Sequence, residues 1–306
     1  VPINFAYSLF FGLLTGNSNI VKIPTKNFAQ VSIICELIKK ILKKKNNFLK
    51  KKITIVQYSD NVEYTKKISL ECNGRVIWGG DKTINSIREY KTKERTLDIT
   101  FPDRYSFCII SCTSLNKLNN FELKLLIKKF YNDTYYVDQN ACSSPHLILW
   151  TGQDKKKAKE KFWSALSEYL KANYNLYDSA PIEKYTNLCN YITRIKEIKK
   201  IKNFENLIYR IELNKINKGI DDFRGKWGLF FEYDLKALDE FKNIVNTKYQ
   251  TLTYFGLNKK LLYEIITKNG LKGIDRIVPV GNSLNIGLNW DGYDIVNILT
   301  RGIELQ

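Results

Sequence analysis

Short runs of branched and aromatic residues alternate with helical stretches through the first ninety residues, and that alternation limits the fold more than any single motif. "NIVKIP" (19–24), "ITIVQY" (53–58) and "RVIWGG" (75–80) read as strands. "INFAYSLFFGLL" (3–14), ending at Gly16, "NFAQVSIICELIKKILKK" (27–44), "DNVEYTKKISLE" (60–71) and "DKTINSIREY" (81–90) read as helices, with Asn27 as the cap of the second. Strands that alternate with helices predict a parallel, doubly wound sheet, because a helix is the connection that returns the chain to the same edge. A second α/β unit begins near residue 105 with the strand-like "YSFCIISC". It continues through the helix "NNFELKLLIKKFYN", the strand "HLILW" and the helix "KKKAKEKFWSALSEYLKANY". From about 185 to 260, strand and helix signals alternate without a firm register. The resulting expectation is two Rossmann-like units: 1–104, 105–285, and a return segment 286–306.

A chain of 306 residues is long enough for two such units. No apolar run approaches the ~20 residues of a membrane span. The opening "VPINFAYSLFFGLL" lacks the basic start and small-residue cleavage site of a signal peptide. The chain contains no Met, so the sequence reads as a fragment with its N-terminal part missing. The net charge of +18 would suit a polyanion, but the lysines are spread along helical patterns (39–52, 155–160, 195–202). That spread fits solvated helix faces better than a nucleic-acid surface. Six cysteines at 35, 72, 108, 112, 142 and 189 match no zinc spacing, and the single histidine, His146, argues against a Cys/His metal site. Unpatterned cysteines in a chain of this size fit a reducing cytoplasm.

Two places carry possible chemistry. Gly79 and Gly80 end a strand just before a helix, where backbone N–H groups and the helix dipole attract an anion, although a plain tight turn has the same sequence. Neither G-x-G-x-x-G nor the P-loop pattern occurs. In "DQNACSSPHLILW" (138–150), Cys142 stands between a polar run and an apolar strand, as either a buried loop cysteine or a nucleophile.

"GLLTGNSNIVKIPTKN" (12–27) resembles the cofactor-domain segment of the aldehyde dehydrogenase superfamily, in which a helix ends in Gly-Asn and a strand ends in a ribose-contacting lysine. "WGGDKTINSIR" (78–88), "DQNACSSPH" (138–146) and "DRIVPVGNSLNIGLNWDGYDIVNILTRGI" (275–303) narrow the match. Together the four blocks resemble the LuxC family of fatty acyl-CoA reductases, over Val1 to about Ile303.

The resemblance implies that Cys142 accepts the acyl group of a thioester, and that NADPH then reduces the S-acyl enzyme to a fatty aldehyde. Ser143, Ser144 and Pro145 would shape its turn. The oxyanion would be held by the Cys142 N–H and an asparagine, which by alignment falls about two residues before Pro2; Asn4 is the nearest within the sequence. Lys22 matches the ribose-contacting lysine. Where NAD-preferring relatives carry glutamate, this chain has Thr25 followed by Lys26, which favours NADP over NAD. Gly79 and Gly80 would lie against the cofactor, with Asp81 capping the helix. Asp275 resembles the acidic residue that holds the nicotinamide ribose, although a surface-loop aspartate reads the same way. Implied partners are a fatty acyl-CoA or acylated protein, with an acyl-protein synthetase as the supplier. Aldehyde oxidisers use a glutamate base about thirty residues before the cysteine, whereas "TLDITFPDRYSFCII" offers only Asp98 and Asp103. A missing water-activating base favours acyl reduction over aldehyde oxidation. His146 follows the turn closely but reads as a strand side chain. The alternatives are a non-catalytic or nucleic-acid-binding protein retaining the fold, and an acyl-phosphate reductase within it.

Overall fold

The computed structural model describes residues 2–44, 48–59 and 61–306, and the chain divides into two units, Val1–Asp103 with Gly287–Gln306, and Arg104–Ile286. Residues 45–47 of the basic run and Asp60, at the head of the third predicted helix, lie outside the described residues.

The first unit opens with α1 (Asn4–Leu14), β1 (Asn19–Lys22), α2 (Ala29–Leu42) and β2 (Ile53–Val56). It continues through α3 (Val62–Glu71), β3 (Gly74–Trp78), α4 (Asp81–Arg88) and β4 (Leu97–Phe101). β1 pairs in parallel with β2, and β3 in parallel with β4, so each pair is a strand–helix–strand crossover of the kind the alternation predicts. β4 carries no strand signal in the sequence because Asp98 interrupts it. Asp98 is nevertheless the register partner of Arg75, whose Nε and Nη2 each reach a carboxylate oxygen at 2.7 Å, while Ile99, Thr100 and Phe101 are buried. Two helix starts differ from expectation by one residue. Phe28, not Asn27, is the extended residue ahead of α2, and Gly80, not Asp81, caps α4, which leaves Asp81 inside its first turn. In each case the extended backbone that ends the loop falls one residue away from the polar side chain.

The second unit follows with β5 (Tyr105–Ser111), α5 (Cys112–Lys117), α6 (Asn120–Asp133), β6 (Pro145–Thr151), α7 (Lys155–Asn173) and α8 (Ala180–Arg194). Then come β7 (Ile198–Phe204), β8 (Ile208–Leu213), β9 (Leu229–Asp234), β10 (Tyr249–Phe255), α9 (Lys259–Lys268) and β11 (Arg276–Pro279). Cys112 is the first residue of α5 rather than part of the strand, because the Ser111 side chain accepts from Ser114 N and stops β5. The strands form one seven-stranded sheet in the order β11-β10-β5-β6-β9-β8-β7, parallel except for the β7–β8 hairpin. Tyr105, Phe107, Ile109, Leu147 and Leu149 pack into the core on one face, and Cys108, Ile110, Ile148 and Trp150 into the core on the other. A strand covered on both faces has no polar side, which is why "YSFCII" and "HLILW" are nearly continuous apolar runs.

Lys156 and Lys157 of α7 are exposed as their pattern predicts, but two other lysines of the helix are less solvated. Lys159 is 6% exposed and pairs with Asp234 at 2.6 Å, while Lys161 caps the end of α5 by donating to Leu118 O at 2.6 Å. Deeper in this unit, Glu232 on β9 is fully buried. It accepts from Arg210 Nε at 2.6 Å, Trp150 Nε1 at 2.8 Å and Trp163 Nε1 at 3.0 Å.

After β11 the chain returns to the first unit as a hairpin, β12 (Asn289–Trp290) and β13 (Tyr293–Asp294), followed by α10 (Ile295–Ile298). Asp291 and Gly292 turn it with φ of 56° and 79°, the backbone that an Asp-Gly pair accommodates between two strands. Trp290 and Ile295 complete a core with Phe11, Ile99 and Phe101.

Candidate active site

Cys142 lies in the turn that leads into β6 and is half-buried, whereas Ser143, Ser144 and the strand that follows are buried. Ser144 N donates to Ala141 O at 3.0 Å and closes the turn; Pro145 then enters the sheet as the register partner of Ser106. Ser144 and Pro145 thus shape the turn as the sequence suggests, while Ser143 is buried within it. Of the other cysteines of this unit, Cys108 and Cys112 are fully buried, and burial pushes their thiols up to about 12 and about 11. A thiol so seldom ionised is a poor nucleophile.

The turn is held from several directions. Ser106 Oγ donates to Cys142 O at 2.7 Å and accepts from Thr251 N at 3.1 Å, tying the turn to β5 and β10. Gln139, 1% exposed, receives Gly228 N–H on its amide oxygen at 2.7 Å and donates through Nε2 to Pro145 O and Leu229 O, both at 3.3 Å. Asp138 O accepts from Trp227 N at 3.3 Å, and Tyr174 Oη donates to the Asp138 carboxylate at 2.6 Å. Lys184, a buried lysine of α8, donates to Trp227 O at 2.8 Å. Gly228 admits no other residue: its φ is +88°, and an added Cβ would fall 2.2 Å from Leu207 O.

Asp138, Gln139 and Trp227 have φ of 52°, 56° and 51°, the left-handed region that costs a non-glycine residue of order 1 kcal/mol. Ile274, a branched residue, has φ 61° directly before Asp275. Asp275 Oδ2 accepts from Arg104 Nη2 at 2.5 Å, and Arg104 also donates to the carbonyls of Lys248 and Tyr249. Since Arg104 and Ser106 flank the start of β5, Cys142 and Asp275 stand at the same end of the seven-stranded sheet. His146 is fully buried; its Nε2 faces Arg224 Nε at 3.4 Å, and burial together with that guanidinium holds the ring neutral. The two aspartates in the stretch before the cysteine differ: Asp98 is engaged by Arg75, and Asp103 is exposed.

The remaining expected residues belong to the first unit. Lys22 is the last residue of β1 and is exposed, with Nζ 4.5 Å from the centroid of the Tyr58 ring; Thr25 and Lys26 are exposed just beyond. Gly79 and Gly80 join β3 to α4, and a Cβ on Gly80 would meet nothing within 4 Å. Asn4 opens α1. Gln139 and Ser106 were not singled out by the sequence; the consecutive Asp-Gln before a strand was visible, but its distant partners were not. Among the described residues no group of His, Cys, Asp and Glu is arranged to hold a metal ion, and no helix is long and apolar enough to cross a membrane.

Comparison with solved structures shows the same architecture. Lactaldehyde dehydrogenase from Escherichia coli superposes with a TM-score of 0.64 at 13% identity, over 94% of this chain and 61% of that one. Apo betaine aldehyde dehydrogenase from Staphylococcus aureus gives 0.60 at 14% identity, over 90% and 56%. A proline utilization A mutant from Bradyrhizobium japonicum gives 0.65 at 12% identity, over 95% and 31%. The chain thus spans less than two thirds of the length of each, and at such identities the likeness is one of fold. No curated protein matches the chain. The family model described as acyl-CoA reductase (LuxC) matches residues 1–215, well over half of the sequence and including the Cys142 turn. The chain belongs to the acyl-CoA reductase (LuxC) family, built on an aldehyde-dehydrogenase fold.

Proposed function

We propose that the protein reduces a fatty acyl thioester to a fatty aldehyde with NADPH, through an acyl group carried on Cys142. The observation that carries this reading is a half-buried thiol in a turn anchored by buried side chains, whereas burial raises the thiols of Cys108 and Cys112 in the same unit. The Cys142 thiolate attacks the thioester carbonyl; the new S–C bond forms as the old one breaks, and CoA or the carrier leaves as its thiolate. The Cys142 N–H is the in-chain donor to the oxyanion formed on the way. With Asp98 engaged by Arg75 and His146 buried and neutral, neither is available to activate water against the acyl enzyme. A nicotinamide cofactor, when bound, would supply the hydride that reduces the acyl group to aldehyde, the Cys142 thiolate leaving as its S–C bond breaks.

The first unit suits such a cofactor. The space beside Gly80 is open, the α4 N-terminus has no side-chain cap, and Lys22 extends from the end of β1. The Asp81 carboxylate in the first turn of α4 opposes a phosphate there, so Gly79 and Gly80 suit ribose and nicotinamide better than pyrophosphate. Thr25 and Lys26, in place of a carboxylate, leave room and positive charge for a 2′-phosphate. In the second unit, Asp275 is held in one orientation by Arg104.

Intact-mass analysis after incubation with saturated acyl-CoAs of graded length tests the reading. The expected adduct equals the acyl group, is absent in Cys142→Ala, and disappears on adding NADPH with release of aldehyde; no adduct at any length refutes it. Gly80→Ala tests the cofactor position. Its φ of −68° and empty surroundings leave the thermal midpoint unchanged, whereas a methyl group against the cofactor raises the KM for NADPH by about tenfold.

A further inference from the structure

The contacts beneath the Cys142 turn distinguish residues that build the fold from residues that aim the nucleophile. We propose that Gln139 and Ser106 are positioning residues for acyl transfer, setting the direction of Cys142 Sγ and of the Cys142 N–H without touching substrate; this rests on Cys142 being the acyl acceptor.

Ser106 bonds the backbone of the reactive residue itself. Its hydroxyl bridges Cys142 O and Thr251 N and fixes the peptide plane on the carboxyl side of the cysteine. Gln139 acts from the amino side. Its single amide satisfies Gly228 N–H, Pro145 O and Leu229 O, which lie 89, 6 and 90 residues away, and so locks the start of the turn to the starts of β6 and β9. It does so while Asp138 and Gln139 are both left-handed, at φ of 52° and 56°. Two adjacent residues stay in that region only where surrounding contacts over-determine them, and loss of the amide lets them relax toward ordinary backbone. Such a relaxation swings Cys142, three residues on. A displacement of about 1 Å in an attacking atom costs on the order of 10²-fold in rate, and the same displacement moves the N–H that meets the oxyanion.

Ser106→Ala and Gln139→Ala test this in the full chain, with single-turnover acylation of Cys142 by the acyl-CoA that works best on the parent. Each variant is expected to lower the acylation rate constant by about 10–100-fold while the half-saturating acyl-CoA concentration stays within about twofold. Alkylation of Cys142 by iodoacetamide, a small reagent that needs no fixed approach, is expected to stay within about threefold of the parent. A purely structural role would lower the thermal midpoint and leave the rate per folded molecule unchanged. The proposal is overturned by an acylation rate within about threefold of the parent, by a change confined to the half-saturating concentration, or by alkylation falling in step with acylation. If Gln139→Ala does not fold, Ser106→Ala, which removes one oxygen, decides alone. The parent is measured first: no acylation there, with alkylation intact, rejects Cys142 as the acceptor and is thereby told apart from a failure of the positioning role.

Discussion

Cys142→Ser is expected to lower single-turnover acylation by about 10³–10⁴-fold, equivalent to about 4–5.5 kcal/mol of barrier, with the fold intact. The exchange replaces one sulfur by oxygen in a half-buried turn whose anchors are backbone groups of Cys142 and its neighbours, so the hydrogen bonds from Ser106 and Gln139 persist. What is lost is ionisation. A serine hydroxyl needs a positioned base, and two candidates in this unit are otherwise occupied. His146 is buried, neutral and turned toward Arg224, and Lys184 donates to the carbonyls of Asn206 and Trp227. Quenched acyl-transfer measurements followed by mass, alongside a thermal melt, check both halves. A serine variant that acylates at the parent rate would mean that the acyl group resides elsewhere.

Glu232→Ala carries the largest expected loss of stability. Glu232 and Arg210 are both nearly inaccessible, at 0% and 3% exposure, and removing one member of such a pair leaves the other buried and uncompensated. The expected cost is about 3–5 kcal/mol, a fall of roughly 6–20 °C in thermal midpoint for a unit of this size. Here the carboxylate does more than balance a charge, because both indole N–H groups of Trp150 and Trp163 end on Glu232 Oε2, and the Arg210 guanidinium lies 5.0 Å over the Trp163 ring. The pair Arg210→Met with Glu232→Leu, an apolar swap that is often neutral elsewhere, is therefore expected to remain destabilised by about 1–3 kcal/mol for each orphaned indole donor. Thermal melts of the single and double variants measure both values. A double variant as stable as the parent would show that the indoles find other partners.

Both predictions depend on partners far apart in the chain, and this marks how far the sequence could be read. The alternation of branched runs with amphipathic stretches was enough for the β1–α2–β2 crossover of the first unit, but not for the one that ends in β4. The uninterrupted apolar runs "YSFCII" and "HLILW" were enough for strands buried on both faces, because side-chain periodicity is a local property that survives in one dimension. The "DQNACSSPH" block likewise marked the turn before β6. Tertiary structure alone decided what holds that turn. Gln139 reads as an ordinary polar residue until Gly228 and Leu229 arrive at the entry to β9, and Asp98 reads as a strand breaker until Arg75 meets it in register. Lys159 belongs to a helix that looks solvated until Asp234 stands beside it. A hydrogen bond or ion pair between residues 20 to 90 positions apart leaves no periodic trace in the sequence, since it needs only one suitable residue at each end. The elements of this protein were legible because burial repeats along a strand or helix, and the aim of its cysteine was not, because the side chains that set it meet only once the sheet has closed.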